Sequence, residues 1–271
     1  MNDSVTSPFV DVVTRNNVTV VGSGRPIVFA HGFGCSQEMW RMVAPHFADD
    51  HQVVLFDHVG AGGSDLSAYR PGKYDSLDGY ADDLVEIVEQ LDLRDVVVVG
   101  HSVGSIIGLL AANQKPSRFG ALVLVGPSPR YVDAGDYTGG FAQSDIDELL
   151  DGLDANYFGW SKSIAPVIMG APDRPELSDE LNDSFCSTDP AIARHFARVT
   201  FLSDNRRDLD EVTVPTLVIQ STDDVIAPLP VGRYVADRIA QSSLVVLPVT
   251  GHCAHLSAPD LVVSAIRDFL P

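Results

Sequence analysis

The sequence predicts an α/β fold in which helices cover both faces of a mostly parallel, doubly wound β-sheet, with a helical cap inserted into it. Three observations predict this fold. Short, nearly continuous aliphatic runs recur along the chain, helical patterns separate them, and residues 127–211 hold helical patterns without a convincing strand. Runs that are apolar throughout are typical of parallel strands buried on both faces, and regular β/α alternation is typical of a doubly wound sheet.

The strands are predicted from β-branched runs at residues 26–30, 52–56, 96–99, 122–125, 216–220 and 243–247. Ahead of them, residues 10–14 and 18–21 flank Arg15-Asn16-Asn17, a polar stretch that is typical of a hairpin turn. We therefore expect a hairpin here, which would add an antiparallel edge to the sheet.

Three crossover or terminal helices are predicted over residues 77–91, 103–114 and 260–269, where apolar residues recur at helical spacing. Asp75 or Ser76 is available to cap the first of them, and Pro259 precedes the last. The patterns at 146–153 and 191–201 follow each other without a strand. We expect residues 1–126 and 212–271 to form the core, and residues 127–211 to form a helical cap inserted in it.

The composition limits the partners of the protein. Of its 271 residues, 37 are acidic and 18 are basic, a net charge of −19 that repels nucleic acid. The cap segment, residues 127–211, holds 17 acidic and 7 basic residues. Three widely separated cysteines argue against a disulfide framework. With neither a basic leader nor an apolar run of about 18 residues, we expect a cytoplasmic protein without a membrane partner.

A candidate nucleophile follows the strand at 96–99, which runs directly into Gly100-His101-Ser102-Val103-Gly104 and then into a helical pattern. This order of strand, sharp turn and helix is typical of a nucleophile elbow, in which small residues on either side of a strained serine avoid collisions. We predict that Ser102 is the nucleophile.

A serine hydroxyl needs a histidine to take its proton and a carboxylate to orient that histidine. After the strand at 216–220 the chain offers Asp223 and Asp224, and Asp224 is favoured because it lies four residues before Pro228. After the last strand it offers His252 and His255, and His252 is favoured because it follows a turn glycine. The remaining six histidines show no metal-ligand spacing and are predicted at the surface or in turns. No metal or other cofactor is predicted.

The oxyanion of a tetrahedral intermediate needs two main-chain N–H donors. The residue after the nucleophile, Val103, is predicted to provide one of them. The other is predicted at Phe33, in the His31-Gly32-Phe33-Gly34 segment that follows the strand at 26–30. A plain glycine-rich turn is the alternative for that segment.

With these residues in place, the chain resembles one branch of the α/β hydrolases, which includes the bacterial stress-signalling hydrolase RsbQ and the plant karrikin and strigolactone receptors. The resemblance extends over nearly the whole chain. It is carried by the elbow and by these segments: His31-Gly32-Phe33-Gly34-Cys35, Phe56-Asp57-His58-Val59-Gly60, Gly126-Pro127-Ser128-Pro129-Arg130-Tyr131, Gly139-Gly140-Phe141, Phe185-Cys186-Ser187-Thr188-Asp189-Pro190, Ser203-Asp204, Val214-Pro215 and Gly251-His252-Cys253.

The resemblance implies a V-shaped cap of four helices over a deep hydrophobic pocket. Matching positions imply a lining that includes Phe33, Val103, Tyr131, Phe141, Trp160 and Phe201. We therefore expect a serine hydrolase that cleaves a small hydrophobic ester or lactone. The alternative is a ligand sensor that binds a regulatory protein through its acidic cap, with hydrolysis secondary. Carbon–carbon bond hydrolysis and perhydrolysis use the same three residues and stay open.

Overall fold

The computed structural model describes residues 11–270, and in this range seven strands form a single sheet. The strands are β1 (Thr19–Gly22), β2 (Arg25–Ala30), β3 (His51–Leu55), β4 (Val96–His101), β5 (Phe119–Val125), β6 (Thr216–Asp223) and β7 (Ser242–Thr250). Their order across the sheet is β1-β3-β2-β4-β5-β6-β7, and every neighbouring pair is parallel except β1 with β3. The predicted fold class is confirmed.

The centre of the sheet is β4, which pairs with β2 on one side and with β5 on the other. Val98 lies opposite Val28 in β2 and opposite Leu122 in β5. All six residues of β4 are buried, as expected for a strand covered on both faces. The carboxyl end of this strand, which carries the site described below, is therefore held on both sides.

The predicted N-terminal hairpin is wrong, although the antiparallel edge strand is confirmed. Residues 12–15 form a short helix, α1 (Val12–Arg15), because the side chain of Asp11 accepts a hydrogen bond from Val13 N and caps it. Arg15 is buried and pairs with Asp83, with 3.2 Å between Nη2 and Oδ1. The strand that follows pairs with β3 instead of with the residues before it. Val10, the first residue of the predicted hairpin, lies outside the described residues.

The other helices are α2 (Leu77–Gln90), α3 (Val103–Gln114), α4 (Gln143–Ala155), α5 (Tyr157–Met169), α6 (Pro175–Ser187), α7 (Pro190–Phe201), α8 (Leu229–Arg238), α9 (Ala254–Ser257) and α10 (Pro259–Phe269). Alternate residues of β2 show how the helices divide between the two faces of the sheet. Val28 and Ala30 belong to the apolar cluster that includes α2, α3 and α8, while Ile27 and Phe29 belong to the cluster that includes α10. The predicted helices over 77–91, 103–114 and 260–269 are confirmed, and Ser76 is the N-cap residue of α2.

Between β5 and β6, residues 126–215 hold the four helices α4 to α7 and no strand of the sheet. Buried apolar residues from each of these helices belong to one hydrophobic cluster, which includes Ile146, Leu153, Tyr157, Met169 and Phe185. The same cluster includes Ile226 and Cys253, which follow β6 and β7. The four helices thus pack onto the carboxyl end of the sheet. The division into a core and a cap of residues 127–211 stays a prediction.

Within residues 11–270, no helix is both long and apolar enough to cross a membrane.

Candidate active site

Ser102 occupies a strained turn between β4 and α3. Its φ of 56° and ψ of −126° place a non-glycine residue in a sparsely populated region of the backbone map. The turn is held because Ser102 N donates to the carbonyl of Val125 in the neighbouring strand, 2.8 Å away. A β-carbon on Gly100 would lie 2.5 Å from the carbonyl oxygen of Gly104, and one on Gly104 would collide with the carbonyl of His31. The small residues of the elbow are therefore a steric requirement.

His252 and Asp224 form a buried pair. His252 Nδ1 lies 2.7 Å from Asp224 Oδ2, and both side chains are at most 5% exposed. The other carboxylate oxygen, Oδ1, accepts hydrogen bonds from the main-chain N–H groups of Ile226 and Ala227 at 2.8 and 3.1 Å. Because Nδ1 donates to the carboxylate, Nε2 is the basic nitrogen, and it finds no hydrogen-bond partner among residues 11–270. His252 and Ser102 both line the same cavity.

The two alternatives for acid and base lie elsewhere. Asp223, at the end of β6, has an exposed side chain, while its carbonyl accepts a hydrogen bond from Gly251 N at 2.7 Å. His255 is buried in α9, where its ring lies 4.2 Å from the ring of His101 and 4.8 Å from that of Trp40. The structure therefore brings Asp224 and His252 together and leaves Asp223 and His255 out of the pair.

Glycine makes room for the histidine ring. Gly126 has a φ of +57°, and a β-carbon there would lie 3.1 Å from His252 Cε1 and 3.6 Å from Asp224 Oδ2. Gly251 has a φ of +101°, and a β-carbon there would collide with the carbonyl of Met169 at the end of α5. Both positions need the left-handed region that glycine adopts most readily.

The two predicted oxyanion donors lie on either side of Ser102. A β-carbon on Gly32 would lie 3.3 Å from Ser102 Cβ, so the segment that carries Phe33 touches the nucleophile. Val103 is the first residue of α3, where the N–H groups have no acceptor within the helix. Two main-chain donors can thus approach an oxygen bound beside Ser102.

A cavity lies above Ser102, and apolar side chains make up most of its lining. The lining residues are Phe33, Cys35, His101, Ser102, Tyr131, Leu149, Trp160, Ile164, Ile168, Leu181, Phe185, Thr200, Phe201, Ile226, His252 and Cys253. Of the residues expected there, Phe33, Tyr131, Trp160 and Phe201 line it.

Two residues expected in the pocket are absent from that lining, Val103 and Phe141. Phe141 is held away because its main chain pairs with the segment after Tyr131. Phe141 N donates to Tyr131 O at 3.2 Å, and Phe141 O accepts from Asp133 N at 2.9 Å. Val103 is buried beneath the elbow, in the core cluster that includes α2 and α3.

Sequence reasoning missed much of the apolar lining and one hydroxyl, that of Thr200. The missed apolar residues in α5 and α6 repeat at helical spacing, Ile164 with Ile168 and Leu181 with Phe185. That spacing predicts a buried face but not which cavity it borders. The one sequence signal for Thr200 was its position directly before Phe201, which was expected to line the pocket.

Burial controls the ionisation of the side chains around the cavity. It raises the pKa of the Cys35 thiol to about 12 and that of Cys253 well above its usual value, so both stay protonated. It also raises the pKa of Tyr131 to about 12, opposed by an interaction with the Ser102 hydroxyl. These groups line the cavity uncharged at neutral pH.

The prediction that the remaining histidines lie at the surface or in turns is wrong for His51, which is buried in β3, and for three histidines buried around the site, His31, His58 and His101. The ring nitrogens of these three serve main-chain groups around the site. His101 Nε2 lies 3.0 Å from the carbonyl of His252, and His31 Nε2 accepts from His58 N at 3.0 Å. Burial lowers the pKa of each ring, so all three are neutral at pH 7. No three His, Cys, Asp or Glu side chains in the described range are grouped to hold a metal ion.

Comparison with known proteins places this site in a family. The model of the alpha/beta hydrolase family matches residues 27–265, most of the chain. The chain belongs to that family. As an alpha/beta hydrolase, the protein is a hydrolytic enzyme with helices over the carboxyl end of its sheet.

Individual alpha/beta hydrolases resemble it over almost their full length. It is 39% identical over 258 residues to a probable esterase of Oryza sativa subsp. japonica, covering 94% of this chain and 95% of that protein. It is 37% identical over 257 residues to Karrikin insensitive 2 receptor CA of Petunia hybrida, again covering 94% and 95%. The solved structure of a hydrolase from Oleispira antarctica matches with a TM-score of 0.93 and 42% identity, covering 96% of each chain. The resemblance to karrikin receptors is confirmed.

Proposed function

We propose that this protein is a serine esterase that cleaves a small hydrophobic carboxylic ester or lactone. The observation that carries the proposal is the His252–Asp224 pair, whose basic nitrogen Nε2 finds no acceptor or donor within the described residues and lines the cavity of Ser102. A histidine oriented by a carboxylate and open towards a serine is the arrangement that activates a hydroxyl. The similar esterase of Oryza sativa supports the same chemistry.

The reaction begins when Ser102 Oγ attacks the substrate carbonyl and passes its proton to His252 Nε2. The main-chain N–H groups of Phe33 and Val103 stabilise the oxyanion of the tetrahedral intermediate. As the intermediate collapses, His252 returns the proton to the departing alkoxide, and an acyl group stays on Ser102. Water activated by His252 then attacks the acyl carbon and releases the acid. Asp224 orients the ring of His252 and stabilises the imidazolium.

The cavity supports a small and largely apolar substrate. Phe33 from the core meets three cap aromatics that also line the cavity, with ring centroids 5.9 Å from Phe185, 5.9 Å from Phe201 and 6.4 Å from Trp160. A lining that is mostly apolar and aromatic is typical of a pocket for a small apolar ligand. No Asp, Glu, Lys or Arg side chain of residues 11–270 belongs to the lining.

The test is hydrolysis of p-nitrophenyl acetate and butyrate by the full chain and by Ser102→Ala. We expect the variant to lose at least about a thousandfold in kcat/KM. Exposed Ser163→Ala is the control and should keep full activity. Mass spectrometry after treatment with a fluorophosphonate should place the adduct on Ser102. Unchanged activity in Ser102→Ala would refute the esterase mechanism. Repeating the assay with hydrogen peroxide and with a β-diketone separates perhydrolysis and carbon–carbon bond hydrolysis from ester cleavage.

A second candidate function is ligand sensing, in which a regulatory protein binds the acidic cap. It is supported by the similarity to a protein named as a karrikin receptor and by the negative charge of residues 127–211. Five exposed acids lie on α4: Asp145, Asp147, Glu148, Asp151 and Asp154. An exposed face of one charge favours a partner of the opposite charge.

The test for sensing is co-purification from the native cell with the triple variant Asp147→Asn, Glu148→Gln and Asp151→Asn. The control neutralises three exposed acids of α2, with Asp78→Asn, Asp82→Asn and Glu89→Gln. Loss of a specific partner from the first variant alone supports sensing. The same partners on both variants, or none on the wild type, would count against it.

A further inference from the structure

Thr200 breaks the pattern of the helix that carries it. The buried residues of α7 repeat at helical spacing along one stripe, Ala193, Phe196, Ala197, Thr200 and Phe201. All of them are apolar except Thr200, whose side chain is buried with the residue only 1% exposed. A valine would fill the same volume without a polar atom.

The Thr200 hydroxyl is left without a hydrogen bond. A helical threonine usually donates to a carbonyl of the preceding turn, but Oγ1 of Thr200 has no partner anywhere in the described chain. Its main-chain carbonyl, in contrast, is used, because Ser203 Oγ donates to it at 2.9 Å. A buried hydroxyl without a partner destabilises the folded protein, and one that borders a cavity is available to bond a ligand there.

Thr200 lines the cavity that also holds Ser102 and His252. The cap helices line this cavity with eight residues: Leu149, Trp160, Ile164, Ile168, Leu181, Phe185, Thr200 and Phe201. Apart from the indole of Trp160, the Thr200 side chain is the one polar group among them. The reactive residues, in contrast, belong to the loops after β4, β6 and β7.

We propose that Thr200 is a specificity-determining residue whose hydroxyl binds a second oxygen of the substrate, remote from the carbonyl that Ser102 attacks. The substrate is then an oxygenated ester or lactone, with an ether, hydroxyl or keto oxygen in the part of the molecule that faces the cap. This inference rests on the proposed esterase function and deepens it.

The Thr200 hydroxyl distinguishes an oxygenated substrate from an all-carbon one. An all-carbon acyl chain leaves the Thr200 hydroxyl without a partner, whereas an oxygen at the right position gives it one in a site of low dielectric constant. Sites built to bond a substrate oxygen discriminate against analogues that lack it, because the protein group is then left unpaired. Thr200 therefore favours the oxygenated substrate over its isostere.

The experiment compares pairs of p-nitrophenyl esters of equal chain length, in which one methylene is replaced by an ether oxygen at each position in turn. For each pair, the preference for oxygen is the kcat/KM of the ether ester divided by that of its all-carbon isostere. Dividing the preference of the wild type by that of Thr200→Val cancels the intrinsic reactivity of the two esters. We expect Thr200→Val to lower the preference for oxygen by about tenfold at one position of the chain. Thr200→Ser should keep it.

Thr188→Val is the matched control. The Thr188 hydroxyl is also buried and without a partner in residues 11–270, but it does not line the cavity. Its removal should leave every ratio unchanged. In the free protein, Thr200→Val should raise the melting temperature slightly, because it removes a desolvated hydroxyl; a fall of several degrees would instead indicate a structural role.

A second readout keeps this inference separate from the esterase proposal. In the Ser102→Ala background, millimolar oxygenated esters should raise the melting temperature more than their all-carbon isosteres, and Thr200→Val should abolish the difference. Failure of the wild type to hydrolyse any ester would refute the proposed function alone, and the thermal shifts would still decide on Thr200. Equal ratios and equal shifts for wild type and Thr200→Val at every oxygen position would overturn the inference.

Discussion

The main-chain N–H of His252 donates to the carbonyl oxygen of Ile168, with 2.8 Å between the two atoms. Ile168 lies in the last turn of α5, and its side chain lines the cavity. The helix that lines the cavity is therefore bonded directly to the loop that carries His252. The close approach depends on two glycines, because a β-carbon on Gly170 would lie 2.7 Å from Gly251 Cα.

This contact predicts the effect of Gly170→Ala. The added methyl group would push the end of α5 away from the His252 loop, and we expect kcat/KM to fall by about 10–100-fold, since small displacements of a catalytic group have large effects. The control is Gly135→Ala, which has a similar φ of +59° but no heavy atom of the described residues within 4 Å of the added carbon. Both variants carry backbone strain, so equal activities would contradict the role of the contact.

Asp224→Asn should lower kcat by about 10³–10⁴-fold, because an amide cannot stabilise the imidazolium and favours the wrong tautomer of His252. The folded structure should persist, since the side-chain oxygen can still accept from Ile226 and Ala227. Asp223→Asn, at the exposed neighbouring position, should keep activity within about threefold. Steady-state kinetics with p-nitrophenyl butyrate measures both, and the reverse ranking would transfer the role to Asp223.

Stability should fall on mild acidification. Burial lowers the pKa of His255 to about 3, whereas in the unfolded chain it titrates near 6.5. Between these values the unfolded state binds a proton that the folded state does not, so stability is full above about pH 6.5 and is lost as the pH falls below it. His255 alone should contribute a loss of about 2 kcal/mol between pH 7 and pH 5.

Urea unfolding at pH 7 and pH 5 tests this. His255→Phe keeps an aromatic ring against Trp40 and His101, and it should reduce the loss between the two pH values by about 2 kcal/mol. Exposed His46→Gln should leave the pH dependence as in the wild type. An identical pH dependence in all three proteins would exclude a contribution from His255.

The backbone strain at Ser102 predicts a gain in stability on Ser102→Gly. Relief of a strained φ is worth about 1–3 kcal/mol, from which about 1 kcal/mol is lost to the greater freedom of glycine in the unfolded chain. We expect the free energy of unfolding to rise by about 1 kcal/mol while esterase activity disappears. Ser102→Ala keeps the strain and should lack the gain; denaturant unfolding of the two variants makes the comparison.

The sequence predicts the structure best where the secondary-structure propensity of a segment agrees with its place in the fold. The run Val96-Val97-Val98-Val99 predicts the buried central strand because β-branched residues suit a sheet covered on both faces. The same preference failed at Val12-Val13-Thr14, which forms a helix because Asp11 caps it and because Arg15 reaches Asp83, far along the chain. A short propensity signal cannot anticipate a partner about 70 residues away.

In the site, order along the chain was enough to select candidates, because the elbow, the acid and the base each follow a strand. Burial was not predictable: His31, His58 and His101 look like polar residues in turns, yet their rings bond main-chain groups inside the protein. The sequence likewise does not show that the hydroxyl of Thr200 is buried. Only the packing of α7 shows that this hydroxyl is buried without a hydrogen-bond partner among the described residues.

The four helices over the cavity come from one uninterrupted stretch of chain between β5 and β6, while Ser102, Asp224 and His252 lie before and after it. If the proposed function holds, most of the residues that select the substrate are encoded in a single block of the gene. Exchanging that block between relatives should transfer substrate selectivity while Ser102, Asp224 and His252 stay unchanged. The incoming block must keep the main-chain hydrogen bond that Ile168 accepts from His252 and a glycine at the position of Gly170. Recombination could diversify such an enzyme faster than point mutation.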